Sequence, residues 1–380
     1  MADQDAQPPV GIEPPPLPVL RWVEPPEGPA LVLLDQTRLP TEEAEFVCTD
    51  VPALVRAIRT LAVRGAPLLG IAGAYGVALA AVRGDDVAET AELLERARPT
   101  AVNLGYGVRR AAGAYRVAVG KGADRKRAAA VVLADARALH REDAEASGRM
   151  ARYGLDLLDE LLPDGGGYRL LTHCNTGALV SGGEGTAFAV ALGAHREGRL
   201  RRLWVDETRP LLQGARLTAY EASRHGMPYS LLTDNAAGSL FAAGEVDAVL
   251  IGADRIAADG AVANKVGSYP LAVLAKYHHV PFIVVAPTTT VDLDTADGAS
   301  IVVEQRPGVE VTELTSLRGR AVGDGGLLVA PVGTTAYNPA FDVTPPELVT
   351  AIVTEEGAVS PVTGVGLAEL CARSSQVTIS

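Results

Sequence analysis

Between residues 168 and 286 the sequence alternates short apolar runs with helical patterns, and this rhythm constrains the fold more than any other feature. Short apolar runs predict strands, and helices of about ten residues between them predict a parallel sheet with helices on both faces. The predicted strands are 168–174, 200–205, 228–232, 246–251 and 281–286. The predicted helices are 185–196, 215–225 and 269–278, with Asp234 as the cap of one more helix.

The preceding part of the chain has a mostly helical pattern. Helices are predicted from Asp50, as a cap, to Leu61, and over 68–82, 103–119 and 125–162, after a strand-like stretch at about 29–47. We therefore expect an α/β protein with a mostly helical N-terminal domain that contains a small sheet, over 19–160, and a parallel-sheet C-terminal domain over 161–368. Residues 1–18, rich in Pro, Gln and Asp, are expected to form a disordered tail.

Composition excludes several classes of function. A net charge of −12 argues against a nonspecific nucleic-acid binder. The three cysteines are far apart, which argues against a zinc site or disulfide framework and favours the reducing cytoplasm. The N-terminus lacks the pattern of a secretory signal, and the longest apolar stretch, 68–82, is judged too short to span a membrane.

Polar residues follow the predicted strands, where ligands bind in sheets of this kind. They are Cys174, Asn175 and Thr176 after the first strand, Asp206–Arg209 after the second, Asp254 after the fourth and Thr288–Thr290 after the fifth. A free cysteine is usually a small buried hydrophobe, but the position of Cys174 at a strand end favours a functional role. Adjacent strand residues point to opposite faces, so His173 is a poor base for Cys174 and is predicted to be structural.

A glycine-rich run at 182–186 opens a predicted helix and has two interpretations. Its amides suit a phosphate at a helix N-terminus, or the glycines serve a loop that needs positive φ. Asp206 lies about 20 residues further on, where the ribose-binding acid of a dinucleotide site would be. However, Phe188 occupies the third glycine position, so the dinucleotide spacing fails.

Two further segments have charged residues beside apolar ones. Asp254 is either a turn former or part of a polar cluster with Arg255, Asn264 and Lys265. In an apolar pocket its pKa would rise, which suits a general acid. Arg64, before Gly-Ala-Pro, is either a surface residue or a bidentate phosphate ligand.

Eight segments, in order along most of the chain, resemble methylthioribose-1-phosphate isomerases. They are RGAPLLGIAGAYGVALA (64–80), RPTAVNLGYG (98–107), THCNTGALVSGGEGTA (172–187), VDETRPLLQGARLTA (205–219), TDNAAG (233–238), GADRIAADGAVANKVGSY (252–269), VAPTTTVD (285–292) and NPAFDVTPPELVTAIVTEEG (338–357). The chain departs from the sequence expected for this family at two places. Leu68-Leu69 replaces an expected Ala-Ile, which affects packing, and Glu304-Gln305-Arg306 replaces an acidic pair before Arg, which we place in a surface loop or interface.

The resemblance implies a ring-opening aldose–ketose isomerisation of methionine salvage, in a cytoplasmic homodimer without metal or cofactor. It implies a helical N-terminal domain and a Rossmann-like C-terminal domain, in agreement with the pattern. By the same resemblance Cys174 and Asp254 are the catalytic residues. The implied substrate-binding residues are Arg64, Gly65, Ala66, Arg98, Gln213, Asn264 and Lys265.

Two related classes stay open as alternatives at this point. Regulatory subunits of a translation-initiation exchange factor are non-enzymatic, and the presence of both Cys174 and Asp254 argues against them. Ribose-1,5-bisphosphate isomerases would need a second anion site in place of an apolar pocket. The hydrogen that moves between C2 and C1 could travel by proton relay or by hydride shift, and the sequence favours neither.

Overall fold

The computed structural model describes residues 13–24, 26, 28–163, 166–314 and 326–377 of the 380. Residues 1–12 of the predicted tail lie outside the described residues. In the described part of the tail, Arg196 Nε donates to a carboxylate oxygen of Glu13 (2.6 Å), and Arg224 donates to the Pro15 carbonyl oxygen (3.0 Å). Residues 13–15 therefore contact the sheet-containing half of the protein.

The first half consists of a three-stranded antiparallel sheet and five helices. Its strands are β1 (Leu20–Val23), β2 (Ala30–Leu34) and β3 (Glu45–Cys48), in the order β1-β2-β3. Its helices are α1 (Val51–Arg59), α2 (Ala66–Arg83), α3 (Val87–Glu95), α4 (Val102–Gly120) and α5 (Arg125–Leu161). The helices predicted before residue 163 are confirmed to within about two residues at each end, a spread normal for helix boundaries. Asp50 caps α1 as predicted, since its carboxylate accepts from the Ala53 amide (2.7 Å).

Helix α2 is the central helix of this half. At 18 residues and a mean hydropathy of 1.5 it is long and apolar enough to cross a membrane by length and composition alone, because it extends beyond the stretch 68–82 at both ends. However, 83% of the helix is buried inside the protein. Leu68 and Leu69 are buried, which confirms that the first departure affects packing. Helix α4 packs closely on α2, and Gly107 permits this approach. A Cβ at this position would lie 1.9 Å from the Gly70 carbonyl oxygen.

The second half is built on a seven-stranded sheet, as the alternating pattern predicts. Six strands are parallel: β4 (Tyr168–Thr172), β5 (Leu200–Asp206), β6 (Tyr229–Leu232), β7 (Ala248–Ile251), β10 (Phe282–Val285) and β15 (Ala351–Thr354). β16 (Gly357–Val359) is antiparallel at the edge, and the order is β16-β15-β10-β7-β4-β5-β6. The pattern did not indicate β15 and β16.

Helices cover both faces of this sheet, as predicted. The intervening and final helices are α6 (Ala187–Arg196), α7 (Ala219–Arg224), α8 (Ala237–Ala242), α9 (Ser268–Tyr277), α10 (Val309–Thr312) and α11 (Gly364–Val377). A π-helical turn, Gly214–Thr218, precedes α7. Residues of α5 and α6 pack on one face of the sheet and residues of α8 and α9 on the other.

A second, four-stranded sheet extends from the end of β7. Its strands are β8 (Arg255–Ala257), β9 (Val262–Lys265), β11 (Val291–Asp292) and β14 (Phe341–Thr344), in the order β11-β8-β9-β14. A separate pair is formed by β12 (Glu313–Leu314) and β13 (Leu327–Leu328). The four-stranded sheet places Asn264 and Lys265 on β9, close to the end of β7.

Helix α5 belongs to both halves. Its first part, including Val132 and Leu139, packs in the core of the helical half. Its last part, including Met150 and Leu158, packs against the seven-stranded sheet. At about 1.5 Å per residue, its 37 residues span roughly 55 Å. The predicted domain boundary at 160 thus coincides with the end of a helix that is shared by two cores.

Candidate active site

The candidate active site is a pocket between α2 and the carboxyl ends of the central parallel strands. Four chain segments and three single residues line it, namely 64–67, 174–176, 252–254 and 285–287 with Val180, Thr186 and Asn264. Six residues implied by the resemblance line the pocket, namely Arg64, Gly65, Ala66, Cys174, Asp254 and Asn264. The two chain halves therefore contribute jointly to one pocket.

Cys174 follows β4 and has an unusual backbone conformation. Its φ of +65° lies in the left-handed region, which non-glycine residues rarely adopt and which is often found at functional sites. Two threonines hold the turn: the Cys174 amide donates to Thr208 Oγ1 (2.8 Å), and Thr218 Oγ1 donates to the Cys174 carbonyl oxygen (2.6 Å). The side chain is 8% exposed and lines the pocket.

The Arg64 guanidinium lies beside Cys174. Its NH1 donates to Asn175 Oδ1 (3.1 Å) and its NH2 donates to the Asn175 carbonyl oxygen (3.3 Å). NH2 also lies 3.9 Å from Cys174 Sγ. The positive charge is therefore fixed next to the sulfur, and the guanidinium has further N–H groups that can reach a ligand.

The residue after Arg64 has to be a glycine. Gly65 has a φ of +93°, and a Cβ there would lie 2.3 Å from Val180 Cβ. The close approach brings the start of α2 against the segment that follows β4. Gly65 and Ala66 thus form one wall of the pocket at a helix N-terminus, where anions are favoured.

Asp254 stands on the opposite side, between β7 and β8. Its amide donates to the Ala263 carbonyl oxygen (2.9 Å). Burial raises the pKa of the Asp254 carboxyl, and the nearby charges of Lys265, Arg98 and Arg64 partly oppose that rise. The prediction that Arg255 belongs to the polar cluster of Asp254 was wrong. Arg255 instead forms an ion pair with Asp292 (3.2 Å) on the far side of β8.

Lys265 and Arg98 lie behind the pocket, and both contact the Phe341 ring. Lys265 Nζ is 5.1 Å from the ring centroid and donates to the Ala340 carbonyl oxygen (2.9 Å), and its pKa is lowered by burial. The Arg98 guanidinium lies 5.9 Å from the same centroid. Neither side chain lines the pocket, but both are close enough to affect the pKa of Asp254.

Glu304, which is expected in a surface loop or interface, lies in a loop and is partly exposed. Its carboxylate pairs with Arg98 (3.4 Å) and with Arg306 (2.8 Å), and it is partly buried. The two arginines compensate for its charge, which explains why an acidic residue is accommodated at this depth. Glu304 therefore supports a residue that the resemblance assigns to substrate binding.

Gln213 and Asn264 provide neutral polar groups. Gln213 is buried at the start of the π-helical turn, and within the described part of the chain its Oε1 has no hydrogen-bond partner. A buried acceptor without a partner is costly unless a ligand or water satisfies it. Asn264 Nδ2 donates to Ser268 Oγ (2.8 Å), which leaves its Oδ1 for the pocket.

His173 and Asp234 both have structural roles. His173 is fully buried, with Nδ1 3.0 Å from Asp206 Oδ2 and Nε2 2.9 Å from the Val266 carbonyl oxygen, which confirms that it does not serve Cys174. Asp206 is thereby engaged in a pair with the histidine. The prediction that Asp234 caps a helix was wrong, since its carboxylate accepts from the Thr208 and Arg209 amides (both 2.7 Å).

The glycine-rich run is not an anion site. Gly182 donates to Asp143 Oδ2 (2.6 Å), Gly183 to Ser181 Oγ (3.1 Å) and Glu184 to Ser147 Oγ (3.1 Å). These amides are used by side chains of the protein itself, mainly from α5. The second interpretation, a loop whose glycines adopt positive φ, is confirmed at Gly185, where φ is +99°.

Sequence patterns missed Glu221, a buried carboxylate on α7. Asn175 Nδ2 donates to its Oε2 (2.5 Å), and the Leu179 amide donates to its Oε1 (3.2 Å). Glutamate in a helix is usually exposed, and the partners of Glu221 lie more than 40 positions away in the sequence. No local pattern could therefore have identified it.

Comparison with known proteins gives a consistent result. The model of the initiation factor 2 subunit family matches residues 62–361. The chain is 47% identical to a methylthioribose-1-phosphate isomerase of Pelotomaculum thermopropionicum, over 91% of this chain and 92% of that one. It is also 47% identical to the enzyme of that name from Klebsiella pneumoniae (strain 342), over 87% and 92%.

Solved structures agree with the sequence relatives. The 5-methylthioribose 1-phosphate isomerase of Pyrococcus horikoshii OT3 superimposes with a TM-score of 0.80 at 36% identity, over 93% of this chain and 95% of that one. The delta subunit of translation initiation factor eIF-2B from A. fulgidus has a TM-score of 0.74 at 39% identity, over 93% and 99%. The resemblance seen in the sequence is thus confirmed, and the chain belongs to the methylthioribose-1-phosphate isomerase family, within the wider initiation factor 2 subunit family.

Proposed function

We propose that this protein is an aldose–ketose isomerase that converts 5-methylthioribose 1-phosphate to 5-methylthioribulose 1-phosphate. The observation that carries the proposal is that Cys174 and Asp254 line one pocket together with Arg64. Relatives that bear the isomerase name match about nine-tenths of the chain at close to half identity. The pocket residues and the relatives thus support the same reaction.

The chemistry assigns a separate task to each side of the pocket. A phosphate on O1 prevents simple opening of the sugar to a free aldehyde, so the ring oxygen needs a proton as the C1–O bond breaks. Asp254, whose pKa is raised by burial, is suited to deliver that proton. Cys174, on the other side with Arg64, is suited to assist the hydrogen transfer between C2 and C1.

The remaining residues bind the substrate in this proposal. Arg64 holds the 1-phosphate, together with Gly65 and Ala66 at the start of α2, because a planar cation and a helix N-terminus both favour that group. Gln213 and Asn264 offer hydrogen-bond groups to the sugar hydroxyls. Lys265 and Arg98 supply positive charge behind Asp254.

A direct assay tests the function. We expect turnover of 5-methylthioribose 1-phosphate without added metal or nicotinamide, and much less turnover of ribose 1,5-bisphosphate. Product formation can be followed by NMR in the presence and absence of a chelator. Activity that the chelator abolishes, or activity with the bisphosphate alone, would contradict the proposal, and an inert protein would favour a regulatory role.

We also propose that the protein works as a homodimer in the cytoplasm. Three large apolar side chains lie on one face of α9 and are exposed, namely Tyr269 (44%), Val273 (41%) and Tyr277 (77%). Their spacing of four residues places them side by side, and exposed apolar patches often mark interfaces. Sedimentation should give twice the 39.4 kDa mass of the chain, and Tyr277→Glu should shift it towards the monomer. A monomeric wild-type protein would contradict this proposal.

A further inference from the structure

Glu221 lies directly behind the pocket and has hydrogen-bond donors on both carboxylate oxygens. Oε1 accepts from the Leu179 amide (3.2 Å), and the Ala178 amide also donates to the carboxylate. Oε2 accepts from Asn175 Nδ2 (2.5 Å). The side chain is 2% exposed, burial raises the pKa of its carboxyl to about 7, and the ionised form acts solely as an acceptor.

The Asn175 side chain lies between this acceptor and Arg64, which can only donate. An amide has one acceptor atom and one donor atom, so only one of its two orientations satisfies both neighbours. In that orientation Nδ2 faces Glu221 and Oδ1 accepts from Arg64 NH1 (3.1 Å). Thr218 reinforces it, since its hydroxyl hydrogen goes to the Cys174 carbonyl oxygen and its Oγ1 is left to accept from Asn175 Nδ2 (3.3 Å).

We propose that Glu221 is a positioning residue for this site: it sets the orientation of the Asn175 amide, which in turn holds the Arg64 guanidinium beside Cys174. Glu221 does not line the pocket and acts only through its neighbours. The proposal rests on the proposed function in one respect, namely that Arg64 binds the phosphate of the substrate. The positive charge of Arg64 also partly offsets the burial of the Glu221 carboxylate.

Glu221→Gln tests the orientation directly. The amides of Leu179 and Ala178 still need an acceptor, so the new Oε1 stays with them and the new Nε2 faces Asn175. Asn175 must then turn its Oδ1 towards Gln and present Nδ2 to Arg64, where two donors meet. We expect the affinity for inorganic phosphate, measured by calorimetry, to fall at least about tenfold, as for the loss of a hydrogen bond to a charged group.

A double variant should restore the phosphate affinity that Glu221→Gln loses. In Asn175→Asp combined with Glu221→Gln, the new carboxylate at 175 accepts from both Gln at 221 and Arg64, so no orientation has to be chosen. This double variant should recover most of the phosphate affinity and most of the melting temperature. Asn175→Asp alone should be the least stable of the three, because it sets two carboxylates against each other at hydrogen-bond distance.

Alkylation of Cys174 by iodoacetamide, followed by peptide mass spectrometry, gives a readout that needs no substrate. Cysteines in electropositive surroundings react faster with such reagents, and Arg64 NH2 lies 3.9 Å from Cys174 Sγ, so the rate should fall in Glu221→Gln and recover in the double variant. Arg64→Ala sets the lower limit for both the rate and the phosphate affinity. In the isomerase assay the loss in Glu221→Gln should appear in KM more than in kcat.

The outcomes are separable. Unchanged phosphate affinity and alkylation rate in a folded Glu221→Gln protein would overturn the proposal. If Glu221→Gln does not fold, the double variant decides: it must fold and bind phosphate, and its failure to do either also overturns the proposal. If both readouts change as expected but the wild-type protein does not isomerise 5-methylthioribose 1-phosphate, the proposed function fails and the role of Glu221 stands.

Discussion

Asp254→Asn should lower the turnover of 5-methylthioribose 1-phosphate by at least about a hundredfold, the low end for positioned acid–base catalysis. The replacement keeps the volume of the side chain and removes the transferable proton. Stability should change little, because no cavity is made and the Asp254 carboxylate has no ion pair to lose within the described residues. Initial rates and melting temperature on the same preparation check both statements.

The strand that positions Asp254 offers a matched control at its other end. Asp247 precedes β7, and its carboxylate accepts from the amide (2.7 Å) and the guanidinium of Arg169. Asp247→Asn makes the same chemical change at the opposite edge of the sheet, so it should lower stability and leave kcat almost unchanged. Turnover close to normal in Asp254→Asn would remove this residue from the mechanism.

The pH dependence of the wild-type protein should agree with the same role. Burial raises the pKa of Asp254, so its protonated form persists to higher pH than that of an exposed carboxyl group. If Asp254 donates the proton, kcat falls as the pH rises through that raised pKa. A kcat that keeps rising across that range would indicate that the carboxylate, not the acid, is the active form.

Cys174→Ser should also reduce turnover by at least about a hundredfold, because the serine hydroxyl has a much higher pKa than a thiol and exchanges its proton less readily. The melting temperature should change little, since the side chain keeps its shape in a polar pocket beside Arg64. Turnover in deuterated water adds a second result. A proton relay through the thiol introduces deuterium into the product, whereas a direct hydride shift does not.

Cys48 provides the control for the cysteine replacement. It is fully buried in the core of the helical half, and burial raises its pKa to about 12. Cys48→Ser buries a hydroxyl among apolar groups and should lower the melting temperature while kcat is maintained. If Cys174→Ser behaves like Cys48→Ser, with a lower melting temperature and normal turnover, then Cys174 only fills volume.

The elements that sequence reasoning predicted well share strong local signals. Helix α1 has a capping aspartate, α5 has a long helical pattern, and leucine and β-branched residues make up most of β4 and β7. The four-stranded sheet was not predicted, because its strands have two to four residues, too few to show an alternation of apolar and polar residues. The edge strand β16 and its neighbour β15 were missed, although they complete the main sheet.

The site shows a similar limit. Position at the end of a strand pointed to Cys174 and Asp254, local patterns suggested Arg64, Asn264 and Lys265, and the family resemblance added Gly65, Ala66, Arg98 and Gln213. The geometry places six of them around one pocket. Glu221 and the ion pair between Glu304 and Arg98 could not be found in this way, because the partners are remote in the sequence. Residues that position the pocket side chains do so through tertiary contacts, and such contacts leave no pattern in the local sequence.

The membership of α5 in two cores has a consequence for mutations far from the pocket. Arg64 belongs to the helical half and Asp254 to the sheet half, and α5 is a single rigid rod that packs into both. A cavity made under either end of this rod, for example at Val132 or Met150, would let the rod shift, and the opposed walls of the pocket would move relative to each other. Because catalysis is sensitive to displacements of about 1 Å, such substitutions far from the pocket should lower turnover even where the protein remains folded.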